Sequence, residues 1–322
     1  MAERGEILVT WPSFAAGARL AAAGLRPRLA PKTGARTPAE VAALAAGAVG
    51  AIVSTDPFDA AVFAAAPALR VIARVGVGTD SIDLAAATAA GVVVTITPGA
   101  NNETAADHAV ALILAALRRI VEHDASVRRG EWRRGGPLTP WDAHGTVVGL
   151  VGFGAIGRAV ARRLRGFGVE LLVADPAVGA VEGGRATPLA ELLERADVVS
   201  LHLPLDAATA GLIGAAELAR LRPEAILVNT SRGRLVDEPA LIAALASGRL
   251  RAAALDVFAD EPALPAALLA LPNVTLTPHI GGLSTDSIER MVELATASVL
   301  AALDGTLDAA VVANPDVLEV TA

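Results

Sequence analysis

An arginine, a carboxylate and a histidine each stand just past a short apolar run in the last third of the chain. Arg232 follows Ile226–Asn229 in TSRG. Glu261 follows Ala252–Leu255 and Asp256 in DVFADEP, and His279 follows Val274–Thr277 in PHIGG. Histidine titrates near neutrality, so it can take a hydroxyl proton or return one. A neighbouring carboxylate favours the imidazolium and orients the ring. Arginine grips a carboxylate as a fork and polarises an adjacent carbonyl oxygen. The set suits hydride exchange between a nicotinamide and a 2-hydroxy acid, with the histidine moving the proton.

That chemistry needs a dinucleotide, and Val147 to Asp175 offers a place for one. The stretch reads VVGLVGFGAIGRAVARRLRGFGVELLVAD. Val147–Val151 has the pattern of a buried strand, Ala155–Phe167 that of a helix stopped by Gly168, and Val169–Ala174 is a second strand. Between the first two, Gly152, Gly154 and Gly157 form G-x-G-x-x-G. The first permits a tight turn, the second lets backbone approach a pyrophosphate, and the third lets helix and strand pack closely. Asp175 would accept hydrogen bonds from the adenosine ribose. Pro176 follows it with no adjacent Arg or Lys, so the expected cofactor is NAD rather than NADP.

The surrounding elements must bring these pieces together. Beyond Val169–Ala174 come strands Val198–Leu201, Ile226–Asn229, Ala252–Leu255 and Val274–Thr277, six in all, with helices between. Asp237 caps the helix before Gly248. In the doubly wound order 3-2-1-4-5-6, ligands sit at the carboxyl ends of the strands, where the order reverses between strands 1 and 4. Arg232, Glu261 and His279 then converge on the nicotinamide side, and His202 with Leu203 and Pro204 lines the adenosine side.

The first hundred residues alternate four short strands (7–9, 51–53, 71–73 and 92–95) with Ala-rich helices, which predicts a separate parallel sheet. After the third strand, Gly76 and Gly78 of VGVGTDSID can form an anion nest, with Arg74 adding a cation. Thr97–Asn102 reads as a crossover between domains. Thr104-Ala-Ala-Asp107 fits a capping box before a helix to Arg119; the alternative role for Thr104 is to face the cofactor from the hinge. Residues 124–142 are irregular, with Gly130, Gly135, Gly136, Pro137, Trp132 and Trp141, and read as a dimer element.

Composition narrows the class. The chain has 322 residues, enough for two domains. Hydrophobic residues make up 53%, yet aromatics only 3% and Tyr is absent, so small aliphatic residues must fill the layers. A net charge of −7 and no basic stripe argue against nucleic acid. The absence of Cys removes disulfides, thiol catalysis and Cys-ligated zinc. His108, His123, His144 and His202 form no i, i+4 pair, so no metal is expected. MAERGE lacks the apolar core of a signal peptide, and uncharged runs such as 41–55 are too short to span a bilayer. The expectation is a cytoplasmic protein without membrane attachment.

On RVGVGTDSIDL, GLVGFGAIGRAVARRL, NTSRGRLVDEPALIAAL, AALDVFADEP and TPHIGG, the chain resembles the D-isomer-specific 2-hydroxyacid dehydrogenases, especially the phosphoglycerate dehydrogenases among them. The resemblance covers roughly residues 70–315. It implies an α/β fold of two doubly wound parallel-sheet domains. A Rossmann cofactor domain (101–284) would be inserted in a flavodoxin-like substrate domain (1–100 plus 285–322). It implies that Arg232 binds substrate, Glu261 partners the histidine and His279 is the acid/base. It implies NAD contacts from the glycine turn with Ala155 and Ile156, from Asp175, from Thr230, Ser231 and Arg232, from Asp256, and from His279, Ile280, Gly281 and Gly282. Leu203 and Thr104 join that set. The backbone at Val75 and Gly76 would hold the substrate carboxylate, and Arg74 would meet a substrate phosphate. Dimerisation through the cofactor domain would be expected. Asp107 stands where similar sequences often carry Glu. The end at Ala322 implies no C-terminal regulatory domain and no serine feedback.

The leading expectation is NAD-dependent interconversion of a D-2-hydroxy acid and its 2-keto acid, with 3-phosphoglycerate/3-phosphohydroxypyruvate first because of Arg74. Glyoxylate/hydroxypyruvate reduction and phosphite oxidation are alternatives on the same scaffold. An NAD-sensing, corepressor-like interaction protein is the alternative of another class.

Overall fold

The computed structural model describes residues 4–11, 14–31, 34–136 and 139–320. Of the residues singled out above, the first three of MAERGE, Pro137 and Ala322 lie outside the described residues. The chain divides into two compact units, residues 1–101 with 283–322, and residues 102–282. No helix among the described residues is long and apolar enough to cross a membrane.

The first unit is built on five parallel strands: β1 (Glu6–Val9), β2 (Arg26–Leu29), β3 (Ala48–Val53), β4 (Val71–Arg74) and β5 (Val93–Thr95). They lie in the order β2-β1-β3-β4-β5. The sequence predicts four, and β2 is the one it misses. Its residues, RPRL, show no apolar alternation, and it forms a sheet edge, where the missing N–H of Pro27 is tolerated. Arg26 and Arg28 pair with Glu6 of β1 at 2.6 and 2.5 Å, so charge rather than burial marks this strand. The helix Thr285–Asp304 belongs to the same unit. Met291, Val292, Ala295 and Val299 form its apolar stripe and pack with Ile7, Val9, Ile52, Val71 and Ala73. Beyond it, Ala313 N donates to Val94 O and Ile96 N to Val311 O, both at about the length of a ladder bond.

The second unit carries seven parallel strands: β6 (Val147–Val151), β7 (Glu170–Ala174), β8 (Arg185–Ala186), β9 (Val198–Leu201), β10 (Ile226–Asn229), β11 (Ala252–Leu255) and β12 (Val274–Leu276). Their order is β12-β11-β10-β9-β6-β7-β8. β6, β9, β10 and β11 are buried on both faces, which explains their largely aliphatic sequences. Each fully buried Leu or Ile contributes about 2 kcal/mol of apolar burial. The helix Asn102–Arg118 packs one face on this sheet through Ala106, Ala109, Val110, Ile113 and Leu117.

Here the sequence reading needs a correction. The two-residue β8 is the third strand of this unit, so Val198–Leu201 is the fourth. The unit therefore has seven strands where the sequence predicts six; the order reverses between β6 and β9, and His202 follows β9 at that point.

Candidate active site

β6 runs into a turn that requires glycine. Gly152 has φ +92°, and a Cβ there would stand 2.5 Å from the carbonyl oxygen of His202, just past β9. A Cβ on Gly157 would stand 2.4 Å from the Gly152 carbonyl oxygen, so the helix Ala155–Leu164 is drawn tightly onto the turn. Gly154 is the N-cap, with no capping side chain and open space where its Cβ would be. The first turn, starting at Ala155 and Ile156, contains no acid. Its N–H groups and the positive end of the helix dipole are left for an anion. Asp175, just past β7, accepts from Phe153 N at 2.7 Å on Oδ2 and from Ala177 N at 2.8 Å on Oδ1. Each oxygen keeps a lone pair for a ribose hydroxyl. This donor set fits a nicotinamide dinucleotide.

The ends of β10, β11 and β12 carry the other side chains. After β10, Ser231 Oγ donates to Leu201 O at 2.8 Å, and Asn229 Nδ2 to Arg232 O at 2.9 Å. The Thr230–Arg232 loop is thereby tied to the ends of β9 and β10, and Arg232 Nη1 donates to Ser231 O at 2.7 Å. A Cβ on Gly233 would sit 1.9 Å from the carbonyl carbon of Phe258, so the loop after β10 lies directly on the loop after β11. In that second loop Glu261 Oε1 accepts from Phe258 N at 3.0 Å. Its Oε2 is 2.7 Å from His279 Nδ1. An ionised carboxylate only accepts, so Nδ1 carries the proton and Nε2 is the nitrogen left for a substrate. The two side chains are 33% and 39% exposed, open to small molecules.

Asp256 underlies this arrangement. It is fully buried, yet its carboxylate accepts from Thr277 Oγ1 at 2.5 Å, Ile280 N at 2.9 Å and Gly281 N at 2.7 Å. Its carbonyl accepts from His279 N at 2.8 Å. Burial alone would raise the carboxyl, but hydrogen bonds from His108, Thr277 and the two amides outweigh it and hold its pKa below the usual range. The loop wrapped around it holds His279 at φ +54°, a left-handed conformation that costs a non-glycine residue about 1–3 kcal/mol.

Within the first unit, Arg74 ends β4 and donates through Nη1 to the carbonyl of Val75. Val75 N donates to Val53 O at 2.8 Å, and Gly76 N to Thr97 Oγ1 at 2.9 Å. Both N–H groups expected to hold a carboxylate thus have protein acceptors in this structure. The next two, on Val77 and Gly78, have no acceptor among the described residues. Gly78 is the second glycine of the anion nest expected from V-G-V-G.

Other expectations shift in smaller ways. The helix starts at Asn102, so Thr104 lies in its first turn and is not the cap. Asp107 pairs with Arg163 at 2.6 Å instead of closing a capping box. His202 is buried with both ring nitrogens unpartnered among the described residues, and burial pushes its pKa down to about 4. Trp141 lies under the Arg251 guanidinium at 3.9 Å, whereas Trp132 is 78% exposed.

Residues 110–281 match the family described as D-isomer specific 2-hydroxyacid dehydrogenase, NAD binding domain. A glyoxylate reductase of Korarchaeum cryptofilum is 45% identical over 274 residues, covering 83% of this chain and 82% of that protein. A D-3-phosphoglycerate dehydrogenase of Mycobacterium leprae is 44% identical over 256 residues, covering 78% of this chain but only 48% of that protein. The chain thus spans about half the length of that relative. A crystal structure of an NADPH-dependent glyoxylate/hydroxypyruvate reductase from Sinorhizobium meliloti, with NADP and malonate, superposes with a TM-score of 0.80 at 33% identity. It covers 92% of this chain and 93% of that one.

Proposed function

The chain belongs to the D-isomer-specific 2-hydroxyacid dehydrogenase family, oxidoreductases that act on CH–OH with NAD(P), and on that premise we propose that it reduces glyoxylate and hydroxypyruvate with NADH. The observation that carries the reading is the Glu261–His279 pair, 2.7 Å apart in loops packed beside that of Arg232. The nearly full-length relative is a glyoxylate reductase, whereas the phosphoglycerate dehydrogenase is matched over half its length. This weighs against the sequence-based preference for phosphohydroxypyruvate. Arg74, the cation that ends β4, supports that acid as the second reading.

In this reading the nicotinamide, when bound, supplies the hydride. The glycine turn and the first turn of the helix Ala155–Leu164 hold its pyrophosphate, and Asp175 takes the ribose hydroxyls. A carboxylate at that position disfavours a 2′-phosphate, which is the argument for NAD over NADP. Arg232 binds the substrate carboxylate and polarises the keto oxygen. His279 Nε2–H gives its proton to the keto oxygen, while Glu261 holds Nδ1 and stabilises the imidazolium before transfer. The exposed Trp132, with Ile120, Val121 and Val127 exposed on the helix Ile120–Arg128, is the surface a homodimer would cover.

The test is NADH oxidation with glyoxylate, hydroxypyruvate, 3-phosphohydroxypyruvate and pyruvate, repeated with NADPH. The highest kcat/KM should fall on glyoxylate or hydroxypyruvate with NADH. A preference for the phosphorylated acid would move the assignment to the second reading. Tight NADH binding with no turnover on any acid would favour a sensor.

A further inference from the structure

His108 belongs to none of the motifs of the site. It lies on the helix Asn102–Arg118, and its Nε2 is 3.0 Å from Thr277 Oγ1 and 3.3 Å from Asp256 Oδ1. Thr277 gives its one hydroxyl hydrogen to Asp256, so toward His108 it can only accept. The ionised Asp256 accepts as well. Nε2 of His108 must therefore carry the proton shared between them. The same ring closes on the far end of the loop: a Cβ on Gly281 would stand 3.4 Å from His108 Cδ2 and 2.8 Å from Asp256 Oδ2. Thr277 and Gly281 thus bracket the loop against one imidazole and one carboxylate, with the left-handed His279 midway between them.

We propose that His108 is a positioning residue for proton transfer: its Nε2–H bond to Thr277 and Asp256 locks the His279 loop to the helix Asn102–Arg118. The proposal rests on the reading of His279 as acid/base. Strained backbone persists only where its surroundings over-determine it, and His108 supplies the donor that ties the loop to an element outside the strand ends. Without it, the loop keeps its bonds to Asp256 but is free to turn the imidazole of His279 away from Glu261. Small misplacements of an acid/base group cost turnover more than binding.

The experiment compares wild type with His108→Ala, His108→Gln, Thr277→Val and the double variant His108→Ala/Thr277→Val, alongside His279→Ala. Steady-state reduction of glyoxylate or hydroxypyruvate is measured together with NADH affinity by fluorescence. His108→Ala should lower kcat by about 10- to 100-fold with KM and NADH affinity little changed. His108→Gln, whose amide N–H reaches the same acceptors, should recover most of that loss. The double variant should be little worse than the worse single change, because each single change already removes the His108–Thr277 bond. Wild-type kcat in His108→Ala, with His279→Ala inactive, would overturn the proposal and leave the acid/base reading standing. So would a loss that Gln does not restore and that adds to Thr277→Val, since that marks generic packing. Full turnover in His279→Ala would refute the acid/base reading, and the proposal with it.

Discussion

Glu261 divides its carboxylate between two partners, Oε2 facing His279 Nδ1 at 2.7 Å and Oε1 accepting from Phe258 N at 3.0 Å. The second bond fixes the plane of the carboxylate, and the first then fixes the ring. His279→Ala should lower kcat for keto-acid reduction by about 10²- to 10⁴-fold while NADH still binds. Glu261→Gln keeps the shape but loses the charge, so its loss should be intermediate. Steady-state kinetics checks both, and an unaffected His279→Ala would remove that residue from the mechanism.

Asp175 sits where the ribose of a bound dinucleotide is expected. Replacing it with Ser removes the charge that opposes a 2′-phosphate. The ratio of kcat/KM for NADH over NADPH should drop at least about tenfold, equivalent to about 1.4 kcal/mol. Wild type that already prefers NADPH would contradict the assignment.

The first two glycines of the turn should respond differently to alanine. At Gly152 a methyl group meets a backbone oxygen at 2.5 Å with φ at +92°, so folding stability should fall by about 1–3 kcal/mol. At Gly154 nothing lies within 4 Å. Gly154→Ala should melt close to wild type and yet bind NADH more weakly, because its methyl group intrudes only on the ligand. Thermal melts paired with NADH titrations separate the two effects.

The buried His202 makes a prediction about acid stability. Its folded pKa of about 4 lies below the ordinary 6.5, so between those values the unfolded chain binds a proton that the folded chain refuses. Its contribution is complete above pH 6.5 and is lost as pH falls toward 4, by at most about 3 kcal/mol. His202→Leu should flatten the dependence of melting temperature on pH in that window relative to wild type. Parallel curves would show that His202 is protonated in the fold.

The helix Ile120–Arg128 and Trp132 provide a test of assembly. If the exposed Val127 and Trp132 are covered by a second copy, the double change Val127→Glu/Trp132→Ala should shift the protein toward monomer in sedimentation velocity. A wild type that sediments as a monomer would remove the dimer from the proposal.

Much of the second unit was legible in the sequence because its central strands are buried on both faces. Such strands must be short, continuous and aliphatic, and the glycines between β6 and its helix are forced by close backbone approach. Edge strands escape that constraint. β2, RPRL, is held by Glu6, and β8 is two residues long, so neither leaves an apolar signature. Missing β8 shifted the strand count by one.

What the sequence determined by itself was the list of chemical groups and the strand after which each one comes. Periodicity and glycine spacing are local constraints, written within a dozen residues. Only the tertiary structure decided which donors are still free and which are spent. Val75 and Gly76 lose their N–H groups to Val53 and Thr97, and Asp256 gains its donors from residues 108 and 277–281. Those partners are distant along the chain, and a hydrogen bond depends on a position in space that no local pattern encodes.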